Sequence, residues 1–124
     1  LGVCLGHQII AHEFGAKVEK GQRPIHGKIT SITHVGNGVF NNIPSTYNVT
    51  RYHSLVVKEQ NLPDCLQIDA RTEDGVIMAI SHKELPLYGI QFHPEAVLTE
   101  HGHKLLENFL ILCERWWKYH ENNG

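Results

Sequence analysis

A cysteine stands between two glycines near the start of the chain, in Gly2-Val3-Cys4-Leu5-Gly6-His7-Gln8, and apolar residues at helical spacing follow directly. That arrangement reads as a nucleophile elbow, a sharp strand-to-helix turn that pushes its central side chain out of the backbone. Flanking glycines tolerate so tight a turn. At a helix N-terminus, unpaired N–H groups and the positive end of the helix dipole favour the thiolate, the form of cysteine that attacks carbonyl carbons. Much further along, Gln91-Phe92-His93-Pro94-Glu95 ends an apolar run with an imidazole and a carboxylate two residues apart. Each piece has a bland reading, a small buried cysteine in one case and a surface turn in the other. Nucleophilic catalysis by cysteine needs a base within hydrogen-bond reach and a third group to orient that base, and Cys4, His93 and Glu95 supply one of each. Both halves fall where strands should end, and the active sites of open α/β sheets gather at those carboxyl ends.

The elements that must position these groups are also legible. Ile9, Ile10, Ala11 and Phe14 recur at helical spacing, and Gly15 supplies a stop, which predicts a short helix behind the cysteine. From about Lys17 to Phe92 the pattern is strand-like, with β-branched runs at Ile29–Thr33 and Asn48–Thr50 between Gly, Asn and Pro-Ser breaks. Three further strands are expected at Leu66–Thr72, Val76–Ser81 and Leu87–Phe92, separated by turns at Glu73-Asp74-Gly75 and Glu84-Leu85-Pro86. Val76 to Ile80 is apolar without alternation, the signature of a strand covered on both faces. Leu105, Phe109, Leu112, Cys113 and Trp116 fall on one face of a C-terminal helix, for which Thr99 is the expected cap, and the residues beyond His120 are expected to fray.

Composition narrows the function classes. A chain of 124 residues with 41% hydrophobic content has room for one core and not obviously for two. Eleven Lys and Arg against thirteen Asp and Glu are scattered rather than blocked, so neither nucleic acid nor a membrane surface is an expected partner. No apolar run approaches the ~20 residues of a membrane-spanning helix, and no signal peptide opens the chain. Cys4, Cys65 and Cys113 are odd in number and lack CxxC spacing, which fits a reducing, cytoplasmic setting. Ten histidines raise the question of a metal, above all His101-Gly102-His103. No HExxH or paired-cysteine pattern accompanies them, and two histidines two apart at a helix start point to different sides, so no metal site is expected.

The segments Gly2–Gln8, Arg51-Tyr52-His53-Ser54-Leu55 and Gln91–Glu95 together resemble the signatures of the class I (triad) glutamine amidotransferases, over essentially the whole chain. Ile25-His26-Gly27-Lys28, Leu62–Leu66 and Leu98–Gly102 further resemble the small subunit of the chorismate-using synthases, which make anthranilate or aminodeoxychorismate. The resemblance implies an α/β, flavodoxin-like glutaminase fold with a mostly parallel sheet flanked by helices and a small antiparallel portion from the middle of the chain. It implies that Cys4 attacks the side-chain amide of glutamine, that His93 protonates the departing ammonia and then activates water, and that Glu95 holds the imidazole tautomer. It places an oxyanion donor at the backbone N–H of Leu5, and substrate contacts at Gln8, Ser54 and Leu55. No cofactor is implied for this subunit, magnesium being expected in the partner synthase, a chorismate-binding subunit that receives the ammonia. Gly21–Lys28 resembles the aminodeoxychorismate branch more than the anthranilate branch. His26-Gly27-Lys28 is assigned to the boundary with the synthase, or equally to an ordinary strand with a solvated lysine.

Leu1 in place of methionine and a nucleophile so close to the start suggest the C-terminal two-thirds of a single amidotransferase domain, residues 1–124, with the first strands and a second oxyanion loop preceding it. Such a piece is expected to be poorly stable or inactive alone. Two alternatives stand beside the leading reading: a non-catalytic docking module, and a glutaminase domain serving another synthesis such as that of guanylate. The sequence departs from the family pattern at Ala96, where serine is usual, and at Ala16, where a second glycine is common.

Overall fold

In the computed structural model, which describes residues 1–123, strand β1 (Gly2–Val3) runs into helix α1 (Leu5–Glu13) with only Cys4 between them. The long strand β2 (Val18–His34) follows, then a 3-10 turn at Gly38–Phe40 and strand β3 (Thr46–Val57). Strands β4 (Leu66–Thr72), β5 (Ile77–His82) and β6 (Tyr88–Ile90) complete the sheet, and helix α2 (Gly102–Asn123) closes the chain. The helix therefore persists past His120, where fraying was expected, and Gly124 lies outside the described residues. Among the described residues no helix is long and apolar enough to cross a membrane.

The six strands lie in the order β1-β6-β5-β4-β2-β3. Only β1 and β6 are parallel; the other four pairings among the described residues are antiparallel. The mostly parallel sheet expected from the resemblance is thus confined here to one pair, and the antiparallel portion is the larger. The reason is connection length: the turns at 73–76 and 83–87 are far too short for the crossover that a parallel neighbour requires. At the first of them Gly75, at φ +90°, and the Thr72 hydroxyl, which accepts from Val76 N–H at 2.9 Å, close the hairpin.

Strand β5 is buried along both faces, as its unbroken apolar run predicts. On one side Ile10 and Ala11 of α1, with Phe14 just after it, join a cluster with Val57, Leu66, Ile77 and Ile80. On the other, Leu105, Phe109 and Leu112 of α2 join Ile32, Phe40, Met78, Ile90 and Phe92. Asn108 of α2 donates to the carbonyls of Val39 and Asn41, both at 2.8 Å, and so ties the helix to the 3-10 turn.

The sheet curls so that its far edge, β3, returns to the β1–β6 end. Bulges in β2 supply the bend: Gly27, at φ +66°, has no partner between the pairs His26–Tyr52 and Lys28–Arg51. Thr99, expected to cap α2, does not do so. His101 adopts a left-handed φ of 55°, the helix starts at Gly102, and Thr99 and Glu100 bond the free edge of β3 instead.

Gly102 lies so close to Pro94 that a Cβ there would sit on the Pro94 carbonyl oxygen. The start of α2 thereby backs the segment that carries His93 and Glu95. Gly102→Ala is expected to cost about 3 kcal/mol of stability, since backbone rather than a flexible side chain must move. A loss of that size in the urea-unfolding free energy, beside a near-neutral Gly6→Ala control whose Cβ meets open space, is the measurement.

Candidate active site

Cys4 occupies the elbow with φ 54° and ψ −100°, a conformation that ordinary side chains avoid and that costs on the order of 1–3 kcal/mol. The surroundings enforce it. Cys4 N–H donates to Ile90 O at 2.8 Å, continuing the β1–β6 ladder, while α1 begins at the very next residue. Gly2 is required because a Cβ there would lie 2.5 Å from the backbone of Gly6, in the first turn of the helix. Gly6 is different: a Cβ on it would meet nothing within 4 Å, so no packing contact demands a glycine there. As the first helical residue, exposed Leu5 has an N–H with no acceptor inside the helix.

The second half of the site hangs on the edge of β3. His93 N–H donates to Thr50 O at 3.3 Å, Thr50 N–H to Thr99 Oγ1 at 2.9 Å, and Asn48 N–H to Glu100 Oε1 at 2.7 Å, with Glu100 N–H returning to Asn48 O at 2.9 Å. One step further along the same edge, the Cys4 thiol donates to Tyr52 O at 3.4 Å. The Tyr52 ring meets the His93 ring edge-on at 5.6 Å between centroids, so both reactive groups share Tyr52 as their common neighbour.

His93 Nδ1 donates to Glu95 Oε1 at 2.6 Å, a short charge-assisted bond that fixes the tautomer and leaves Nε2 as the ring's acceptor. Among the described residues no hydrogen bond joins Cys4 directly to His93; the thiol proton rests on the Tyr52 carbonyl. Ala96, in place of the usual serine, still closes the turn by donating its N–H to His93 O at 3.3 Å, so Glu95 is held by a backbone turn and by the imidazole.

Gln8 is buried, and its Nε2 donates to Leu55 O at 3.1 Å and to Gln91 Oε1 at 3.2 Å. Only its Oε1 is left to meet a ligand. Leu55 O also accepts from His53 Nδ1 at 2.9 Å, so both lone pairs of that carbonyl are used within the protein. Ser54 is exposed, with no side-chain hydrogen bond among the described residues. The structure thus unites Cys4, Gln8, Leu55, His93 and Glu95 and leaves Ser54 at the margin.

Two residues of the site escaped the sequence reading as individuals. Gln91 is fully buried, accepts from Gln8 and donates its Nε2 to Cys4 Sγ at 3.6 Å. Tyr52 supplies the shared carbonyl and ring. Both lie inside motifs already singled out, and an amide at the end of an apolar run, two residues before His93, was the available signal for Gln91. Among the described residues no group of three or more His, Cys, Asp or Glu side chains is placed to hold a metal ion.

Comparison with known proteins adds the relatives. A model of the family "Glutamine amidotransferase class-I" matches residues 1–113. Anthranilate synthase component 2 of Azospirillum brasilense is 54% identical over 115 residues, covering 93% of this chain and 59% of the relative. Aminodeoxychorismate synthase component 2 of Serratia marcescens is also 54% identical, over 114 residues, covering 89% of this chain and 60% of the relative. The chain therefore spans about three-fifths of the length of these two relatives. Among solved structures, a Thermoplasma acidophilum protein provisionally assigned to GMP synthase superposes with a TM-score of 0.88 at 31% identity, covering 97% of this chain and 59% of that one.

Beside the elbow, His7 is fully buried with neither ring nitrogen hydrogen-bonded, and burial pushes its pKa down to about 4. Burial likewise lowers that of His53, whose Nε2 accepts from Arg51 Nε at 3.0 Å and must be unprotonated to do so. Unfolded histidine binds its proton near pH 6.5, so both neutral rings stabilise the fold above that pH; the His7 contribution is withdrawn as pH falls from there toward 4, and that of His53 changes in the same direction. The His7 share is about 2 kcal/mol by pH 5. Urea unfolding at pH 7.5 and pH 5.0 should show at least that loss, and His7→Leu should flatten the profile by the same amount.

Proposed function

The chain belongs to the class-I glutamine amidotransferase family, and from that premise we propose that it carries the glutaminase chemistry of a chorismate-using synthase. The observation that carries the reading is the meeting of a strained elbow cysteine and a Glu-fixed histidine around Tyr52.

Cys4 Sγ attacks the side-chain amide carbon of glutamine, and the tetrahedral intermediate's oxyanion is met by Leu5 N–H, a donor worth ~3 kcal/mol in comparable sites. His93 Nε2 takes the thiol proton and passes it to the leaving amine, so that ammonia departs and a glutamyl thioester forms on Cys4. The same nitrogen then takes a proton from water, which attacks the thioester, and glutamate and the free thiol are regenerated. Glu95 keeps Nδ1 protonated throughout. Contacts between catalytic groups commonly tighten only in the substrate complex, and moving the thiol proton from Tyr52 O to His93 Nε2 is the adjustment required here. Gln8 Oε1 accepts from the substrate amide. Ser54 and Leu55 hold its amino-acid end, through Ser54 and the Leu55 N–H, because the Leu55 carbonyl is already filled.

The ammonia passes to a partner protein that binds chorismate. Exposed apolar residues around the site support a docked partner: Leu5 and Ile9 on α1, Tyr52 and Leu55 on β3, and Val97 and Leu98 just beyond Glu95. Aminodeoxychorismate is the favoured product on the segment Gly21–Lys28, although relatives named for each product reach 54% identity.

Intact-mass spectrometry of the full-length protein after exposure to a glutamine-like electrophile tests the reading, with and without the synthase. A single adduct on Cys4, absent from Cys4→Ala and formed faster with the partner, is expected. Glu95→Gln should lower glutaminase kcat at least about a hundredfold with little change in KM. No adduct under either condition would leave a docking module as the function.

A further inference from the structure

On the opposite face of β3 from Tyr52, β2 parts from its partner. Lys20 pairs with Leu55 and Ile25 with His53, so Gly21-Gln22-Arg23-Pro24 oppose the single residue Ser54 and flare outward. Pro24, with no N–H to donate, cannot rejoin the ladder there. Beneath the flare lies a cavity of about 240 Å³, floored by Ile25, Val56, Val57, Val76 and Ile77.

Its charges do not balance. Arg23, Lys28, Arg51 and Lys58 border the cavity, against the two carboxylates Glu59 and Asp74. Glu59 is committed to Arg71, with bonds of 2.7 and 3.0 Å. Asp74 accepts from the Thr72 hydroxyl and feels Arg51 and Lys28 without a salt bridge to either. Arg51 is only 6% exposed, and its side chain bonds through Nε to His53, leaving the terminal nitrogens for the cavity. A buried guanidinium without a carboxylate is costly, and its two-pronged edge matches a carboxylate.

We propose that this cavity binds a small organic carboxylate with an apolar body and that its occupancy is felt at Cys4. The aliphatic floor selects against inorganic anions, the cations supply the counter-charge, and the volume suits a molecule smaller than the ligands of typical pockets. The route to the thiol is continuous. Arg51 Nε donates to His53 Nε2, His53 Nδ1 donates to Leu55 O, Gln8 Nε2 donates to both Leu55 O and Gln91 Oε1, and Gln91 Nε2 donates to Cys4 Sγ. A carboxylate on the terminal nitrogens of Arg51 re-aims its Nε–H, and each later bond depends on the one before it.

Neither arm of the test requires glutamine hydrolysis. Benzoate is titrated calorimetrically into the full-length protein, with benzyl alcohol and inorganic phosphate as controls at constant ionic strength. The rate of Cys4 alkylation by iodoacetamide is followed by peptide mass spectrometry with and without benzoate. Saturable benzoate binding is expected, weakened about tenfold by Arg51→Gln and also by the exposed pair Arg23→Ala/Lys28→Ala, which removes charge without touching the core. Bound benzoate should change the Cys4 alkylation rate at least twofold, and His53→Phe should abolish that change while benzoate still binds. Absence of saturable binding, equal binding of benzyl alcohol or phosphate, or indifference to the Arg23/Lys28 pair would overturn the site. Binding that leaves the alkylation rate of Cys4 untouched would overturn the coupling.

Discussion

The outward backbone edge of β3 is the constraint on which the site depends. In an antiparallel pair, alternate residues turn their N–H and C=O away from the partner strand, and at a sheet edge those groups invite pairing with another chain. Here the outward residues fall at 48, 50 and 52, and each is taken by a different part of the site: Asn48 by Glu100, Thr50 by His93 and Thr99, and Tyr52 by Cys4. A period of two along one strand therefore sets the spacing between thiol and imidazole. Two pieces far apart in sequence are brought to one ruler, and the edge is covered without a further strand.

That ruler holds only if the two halves press against it, and close backbone approach supplies the pressure. Gly2 lets α1 start almost on top of β1, which drives Cys4 into its positive φ. Gly102 lets α2 start on top of Pro94, which drives the His93–Glu95 segment toward β3. At Gly89 of β6 a Cβ would lie 2.8 Å from His7 Nδ1, so the helix that carries the elbow also packs closely on the strand that leads to His93. Strain at one residue is stable because the packing of two helices on opposite faces of β5 leaves it no escape.

How much of this the sequence discloses follows from the range of each signal. Cys4, His93 and Glu95 stood out because reactive residue types are rare in such company, and β5 was legible because an unbroken apolar run has few other meanings. The hairpin turn at 73–75 and the break at 84–86 were legible from local turn chemistry. Their consequence, an antiparallel majority, was hidden by the parallel pattern that the resemblance brought with it. Thr99 was read as a cap because a hydroxyl before a helical run usually is one; its real partner, Thr50 N–H, lies 49 residues away and leaves no local trace. Gly102 sat in a motif singled out for its histidines, though the glycine between them is the residue the fold needs. The curl of the sheet, which makes all these contacts possible, comes from a bulge at Gly27 that one glycine in a strand-like run does not announce.

The buried amide pair Gln8–Gln91 shows why a site of this kind retains polar groups in its interior. Two leucines of similar size would fill the space without desolvation cost, and so far as stability goes they would serve as well. What they could not do is fix direction. Gln91 Oε1 is occupied by Gln8, so its Nε2 is forced toward the sulfur. Gln8 Nε2 is occupied twice, so its Oε1 is the group left to face a ligand. Each amide resolves the other's flip, and the pair presents one donor to the Cys4 sulfur and keeps one acceptor, Gln8 Oε1, outside the pair's own bonds. A hydrogen-bonded pair costs more to bury than an apolar one, and the return is a thiol whose neighbours have only one way to point.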